Sequence, residues 1–198
     1  MNGAEIRRAL DAAMNTHEQR DYLGMSQIGY CVREIYFRVT DGKTPESAQN
    51  LNLRRLQYLG ILYEQDAIAR LEAQGVKIDA RQRELVAPFD DRFRGHIDGE
   101  IDGDLLEIKT VYNQRAIQRV RAHGVLSRHS MQIQAYMRYG EYERAQVLYI
   151  ARDSGQPWVV TVLRSEQTGE DVEAKARRIL AALDRKRAPS CQCGKCGR

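Results

Sequence analysis

The run from Gly95 to Thr110, Gly-His-Ile-Asp-Gly-Glu-Ile-Asp-Gly-Asp-Leu-Leu-Glu-Ile-Lys-Thr, combines acids, a lysine and a turn signal at hairpin spacing. Two alternating segments flank Asp102-Gly103, a favoured two-residue hairpin turn. With that turn, Asp98 faces Glu107 and His96 faces Lys109 on one side of the hairpin, while Ile97, Leu106 and Ile108 occupy the other. Carboxylates directly opposite each other repel and weaken a hairpin unless a cation lies between them. The pattern therefore points to a hard cation held by oxygen ligands. A half-wet hairpin with alternating charges would carry the same pattern, and a turn shifted to Gly103-Asp104 would oppose Asp98 to Lys109 and relieve the repulsion.

Other residues could join such a site. Glu64, within Gly60-Ile-Leu-Tyr-Glu-Gln65, is the candidate third carboxylate, or else a solvated helix residue. Gln132 and Tyr136 stand four apart, so on a helix they project from one face. An amide and a phenol so placed can hydrogen-bond a phosphate and flank a sugar or base, although surface ridges share this spacing. His129 is a candidate phosphate contact, whereas His17 and His123 read as surface residues. A phosphodiester is an anion that repels hydroxide, so hydrolysis calls for a cation that screens it and acidifies water. One or two carboxylates with retained waters suit Mg²⁺ or Mn²⁺.

Hydrophobic spacing supplies the elements that must position these residues. A polar helix is expected over 4–20, then a loop at Leu23-Gly24-Met25. Ser26 caps a second helix with Ile28, Val32, Ile35 and Val39 at helical spacing, stopped by Gly42 and Pro45. Ser47 opens a long third helix whose buried stripe, Leu51, Leu53, Leu56, Leu59, Leu62, Ile68 and Leu71, ends near Gly75. Strands are expected over 76–87, 92–101 and 105–111, helices over 114–122 and 130–140, and strands over 145–151 and 158–163. A helix over 166–187 leads into a cysteine-rich tail. This order implies an α/β fold with a small mixed sheet flanked by helices.

Asp98 followed by Glu107-Ile108-Lys109, then Gln132-x-x-x-Tyr136, resembles the motif series of the PD-(D/E)XK nuclease superfamily. The order and spacing are most similar to its RecB-like exonuclease branch, which includes iron–sulfur nucleases of CRISPR adaptation and their phage relatives. Ser26-x-Ile28-Gly29-x-Cys31-x-Arg33 resembles the segment carrying the first cluster cysteine there. The resemblance implies a restriction-endonuclease-like core in which Glu64, Asp98, Glu107 and the Ile108 carbonyl bind Mg²⁺ or Mn²⁺. Lys109 would orient or activate water or neutralise the phosphate, and Gln132, Tyr136 and His129 would line the DNA path. Many members carry a histidine ligand where this chain has Tyr63.

The trio Cys191-x-Cys193-x-x-Cys196 lacks a fourth ligand, and Cys31 is the remaining thiol of four. Members of the branch hold a [4Fe–4S] cluster with one early and three late cysteines. The tighter late spacing keeps Zn²⁺ open as the alternative, and four unlinked thiols are the plain reading. Such a clasp would be structural, with Lys186, Arg185, Arg187, Lys195 and Arg198 forming a positive rim or a solvated tail. The expected organisation is one nuclease domain over 1–198: an N-terminal helix over 1–25, a core over 26–188, and a tail over 189–198 that closes on Cys31.

At 198 residues and 42% hydrophobic, the chain can bury a core. A formal charge of +4 permits a nucleic-acid partner without demanding one. No apolar run approaches a membrane span, and Met1 to Arg8 lacks the apolar centre of a signal peptide, so a cytoplasmic protein is expected, bacterial or phage-encoded. The expectation is thus a DNA exonuclease on single strands or duplex ends. Its setting by resemblance is recombination, repair or CRISPR adaptation, with proteins of those pathways as partners and the oligomeric state left open by the motifs. The competing readings are a non-catalytic nucleic-acid-binding module with a Cys₄ staple and a zinc-stabilised adaptor.

Overall fold

A computed structural model describes residues 2–13, 22–40, 51–191 and 193. The expected breaks at Gly42 and Pro45, the start at Ser47, the second half of the first helix and Cys196 lie outside them, as do the Leu51 and Leu53 side chains. The chain runs α1 (Gly3–Ala13), β1 (Leu23–Gly24), a 3₁₀ turn (Met25–Gln27), α2 (Val32–Thr40), α3 (Leu51–Ala73), β2 (Glu84–Val86) and β3 (Phe93–His96). It continues through β4 (Gly99–Ile101), β5 (Asp104–Val111), α4 (Gln114–His123), α5 (Ser127–Gly140), β6 (Arg144–Ala151), β7 (Pro157–Leu163) and α6 (Glu166–Asp184). Among the described residues no helix is long and apolar enough to cross a membrane.

The strands form two small sheets, ordered β1-β3-β2 and β4-β5-β6-β7. β5 and β6 are parallel, with α4 and α5 as the crossover between them, and both outer pairings are antiparallel. Helices on both faces explain why β6 is buried along nearly its whole length, whereas edge strand β7 alternates. The sheet divides the interior. Leu105 and Val111 pack with Val147, Tyr149, Ile133 and Met137 on the α5 side, while Leu106 and Ile108 pack with Leu148, Ala67 and Ile68 on the α3 side. Strand alternation therefore turns Glu107 and Lys109 toward α5.

The hairpin forms with the expected turn: Gly99, Glu100 and Ile101 pair with Leu106, Leu105 and Asp104, and Asp102 (φ 51°) and Gly103 (φ 83°) adopt the left-handed conformation. The strand expected over 92–101 is broken, however. β3 pairs with β2, His96 opposite Glu84, and the chain changes sheets at Ile97-Asp98. His96 consequently does not face Lys109, and Ile97 enters the larger core instead of joining Leu106 and Ile108. The strand expected over 76–87 shrinks to β2 plus a bridge from Asp79 to Glu100, because Ala80 (φ 49°) and Gln82 (φ 55°) turn the backbone without a glycine or proline to announce it.

Two helical expectations also change. Ser26 lies inside the 3₁₀ turn, and α2 begins at Val32. On α3, Leu56, Leu59 and Leu62 are each about 40% exposed, and burial is concentrated later, at Ala67 and Ile68. The helix meets the sheet from Gly60 onward, with its buried contacts at Ala67 and Ile68.

Gly29 is enforced by close approach. A Cβ there would stand 2.0 Å from the Arg128 carbonyl oxygen at the start of α5. Backbone cannot yield as a flexible side chain can, so Gly29→Ala should destabilise the protein by about 1–3 kcal/mol. Urea denaturation should show this as a lower midpoint with an unchanged slope.

Candidate active site

β5 delivers Glu107 and Lys109 to the face covered by α5, and both groups converge on one carboxylate oxygen. The Lys109 ammonium pairs with Glu107 Oε1, and Gln132 Nε2 on α5 donates to the same oxygen at 2.7 Å. Gln132 Nε2 also lies 3.2 Å from the Tyr136 hydroxyl. Glu107 is 1% exposed, and its second oxygen, Oε2, is buried with no hydrogen-bond partner. An unsatisfied buried acceptor costs about 1–3 kcal/mol.

Asp98 sits where the chain passes from β3 to β4, and its Oδ2 accepts the Ile108 backbone N–H at 2.6 Å. This bond replaces the ladder that the strand break interrupts, and it fixes the carboxylate beside β5. Glu64 arrives from α3, with its Oε1 accepting from Gln82 Nε2 at 2.9 Å. Burial and the nearby Asp98 charge push Glu64 up to about 7, against the opposing pull of Lys109 and Arg81. The same two causes push Glu107 up to about 8, with Lys109 again opposing and Glu64 adding. Burial likewise raises Asp98, outweighing Lys109 and the Ile108 N–H. For Lys109, burial pulls downward, but Glu107, Asp98 and Glu64 together raise it. Three acids thus compete for one cation and for protons at neutral pH.

A hard divalent cation fits this donor set, since Glu107 Oε2 is a buried oxygen with both lone pairs free and two more carboxylates act on it. The acids are not drawn into a tight cage. Among the described residues, the trio of ligating atoms within 4.8 Å of one another is Cys31, Cys191 and Cys193. Cys191 Sγ and Cys193 Sγ are 3.4 Å apart, and Arg33 Nη1 donates to the Pro189 carbonyl at 3.2 Å, tying α2 to the tail. The three thiols form a group that could bind a metal.

No protein-family model and no curated protein matches the sequence. Solved structures do. An alkaline exonuclease, LHK-Exo, from Laribacter hongkongensis superposes with a TM-score of 0.62 at 18% identity, covering 90% of this chain and 93% of that one. LHK-Exo in complex with dAMP gives 0.62 at 17% identity, over 85% and 90% of the two chains. A phage-related exonuclease from Haemophilus somnus 129PT gives 0.51 at 12%, over 78% and 81%. The chain has the fold of these exonucleases. The PD-(D/E)XK resemblance is borne out at the level of fold, including the helix-flanked mixed sheet.

Within this exonuclease-like fold, several side chains take places the sequence did not suggest. Gln132 and Tyr136 are buried, 4% and 2% exposed, and so lie behind Glu107 instead of on an open path. His129 is buried too. Arg128 Nε donates to its Nε2 at 3.2 Å, which leaves the proton on Nδ1 for the 2.9 Å bond to the Tyr149 hydroxyl. Burial, then Lys109 and Arg128, push His129 down to about 3, so this ring is neutral and offers no charge to a phosphate. Tyr63, at the position where a histidine ligand occurs in the resembling branch, donates to the Arg152 carbonyl at 2.9 Å. Gln82, Arg81 and Tyr149 were missed in the sequence, and no spacing rule links them to the acids; Gln82 reaches Glu64 only through the left-handed turn.

The raised carboxyls set a pH dependence. Between the ordinary carboxylate value near 4.5 and the raised values near 7 and 8, the folded metal-free protein holds protons that the unfolded chain has released. Its stability should therefore fall as pH rises through that window. Glu107→Gln should flatten the decline, as measured by urea midpoints from pH 5 to pH 8.

Proposed function

We propose that the protein is a divalent-metal-dependent DNA nuclease acting as an exonuclease on single strands or duplex ends. The observation that carries the reading is Glu107 Oε2, a buried carboxylate oxygen without a partner, placed among Asp98, Glu64 and Lys109. Glu107, Asp98 and Glu64 would hold Mg²⁺ or Mn²⁺, with the Ile108 carbonyl as a further oxygen donor. When bound, the cation supplies Lewis acidity that offsets phosphate charge and makes water a competent nucleophile.

The chain's own groups have separate tasks in this reading. Lys109, raised by its acidic neighbours, stays protonated and faces the negative charge that develops on the phosphate. Gln132 anchors Glu107 Oε1 so that Oε2 points to the ion, and Tyr136 braces Gln132. The Ile108 N–H holds Asp98 in register with β5. The nuclease-fold neighbours, named as exonucleases, support hydrolysis of nucleic acid. A role in recombination, repair or CRISPR adaptation, as one cytoplasmic nuclease domain, extends the same reading.

The cysteines form a second, structural centre. Cys31, Cys191 and Cys193, with Cys196 as the fourth ligand, would hold a [4Fe–4S] cluster, or Zn²⁺ in its place. One observation favours the rival, non-catalytic nucleic-acid-binding module: the Tyr63 hydroxyl is committed to the Arg152 carbonyl and supplies no ligand.

Cleavage of end-labelled DNA in Mg²⁺ or Mn²⁺ separates the two readings. Asp98→Ala and Lys109→Ala should each lower the rate at least about 100-fold, and cleavage that persists in both variants would reject the assigned site. Protein purified without oxygen should be brown with broad visible absorption. A colourless protein carrying stoichiometric zinc would replace the cluster by Zn²⁺.

A further inference from the structure

Beyond the carboxylates, the C-terminal ends of the two parallel strands carry a concentration of cationic and aromatic groups that the site does not use. No aspartate or glutamate occurs between Glu107 and Glu141, a stretch that contains all of α4. On α4, Arg115 and Arg119 are exposed, four residues apart and so on one face. Neither forms an ion pair among the described residues, whereas several arginines elsewhere are held by carboxylates: Arg83 by Glu100, Arg92 by Asp90 and Asp184, Arg138 by Glu173, and Arg144 by Asp104.

Two further groups stand at the same corner. Val111 ends β5 opposite Ala151 of β6, so the residues that follow, Tyr112 and Arg152, leave the sheet side by side. The Arg152 N–H donates to the Val111 carbonyl at 2.9 Å, and its guanidinium Nε is buried without a hydrogen-bond partner. Tyr112 is 73% exposed, the most exposed large apolar side chain described. The nearest acid is Asp153, whose Oδ2 accepts the Gln114 backbone N–H at 3.3 Å. Tyr112 lies three residues beyond Lys109, about 10 Å along the strand.

We propose that this corner is the track on which a nucleic-acid strand is held next to the carboxylates, with Arg115, Arg119 and Arg152 on successive phosphates and the Tyr112 ring under a base. Guanidinium groups without ion pairs suit a polyanion even with Asp153 beside the first turn of α4, and an exposed phenol next to them suits sequence-independent stacking. The identity of the strand rests on the nuclease reading; the surface is tested by binding alone.

The test is fluorescence anisotropy of a labelled oligothymidylate strand, with Ca²⁺ in place of Mg²⁺, over a series of salt concentrations. The double variant R115Q/R119Q should reduce the slope of log K against log salt by about 1.4, at about 0.7 per phosphate contact on a single strand. R115K/R119K should keep the slope, which separates charge from any loss of fold, and Tyr112→Ala should weaken binding about tenfold. Arg164→Gln, which removes an arginine already paired with Glu143 and Glu166, should bind as the parent does. An unchanged slope in R115Q/R119Q, in a protein that still cleaves DNA, would overturn the track and leave the nuclease reading standing. A lost slope in a protein without metal-dependent cleavage would keep the track and reject that reading.

Discussion

Glu107 is the constraint around which the rest of the molecule is arranged. A carboxylate that is 1% exposed cannot be carried on β5 unless its charge is answered, and the protein answers only one of its two oxygens, through Lys109 and Gln132. The other is left bare beside two more acids. Hydrophobic burial of Leu105 and Val111 on one side of the strand, and of Leu106 and Ile108 on the other, holds Glu107 in place despite that cost. Stability is spent to keep that oxygen dry and without a partner.

The route by which the second acid arrives is equally physical. Asp98 lies at the residue pair where the chain leaves one sheet for the other, and there the strand ladder stops. A side-chain oxygen takes over the Ile108 N–H that a neighbouring strand would otherwise satisfy. From the other side α3 brings Glu64 to the cluster, and the turn at Ala80 to Gln82 supplies its amide partner. A continuous strand would have paired the backbone and turned His96 toward Lys109.

The cysteine group connects to this centre through the backbone. Gly29 allows the segment before Cys31 to touch the first turn of α5. Arg128 and His129 of that turn lead to Tyr149 on β6, and Gln132 follows one turn later with its hold on Glu107. A metal shared by Cys31, Cys191 and Cys193 would close a long loop of chain and tie the tail to the segment that touches the start of α5.

Alternation and turn chemistry in the sequence determined the β4–β5 hairpin, its Asp102-Gly103 turn, the β5, β6 and β7 strands, and the pairing of Glu107 with Lys109, because each depends on residues close together in the chain. The cysteine trio was legible as well, from composition and count. Tertiary structure decided what depends on packing between distant segments. The split of the strand at Ile97-Asp98, the exposure of Leu56, Leu59 and Leu62, and the burial of Gln132, Tyr136 and His129 have no local signal. A polar side chain at helical spacing reads as solvent-facing until another element covers it, and only the packing of α5 onto β5 turned those residues inward.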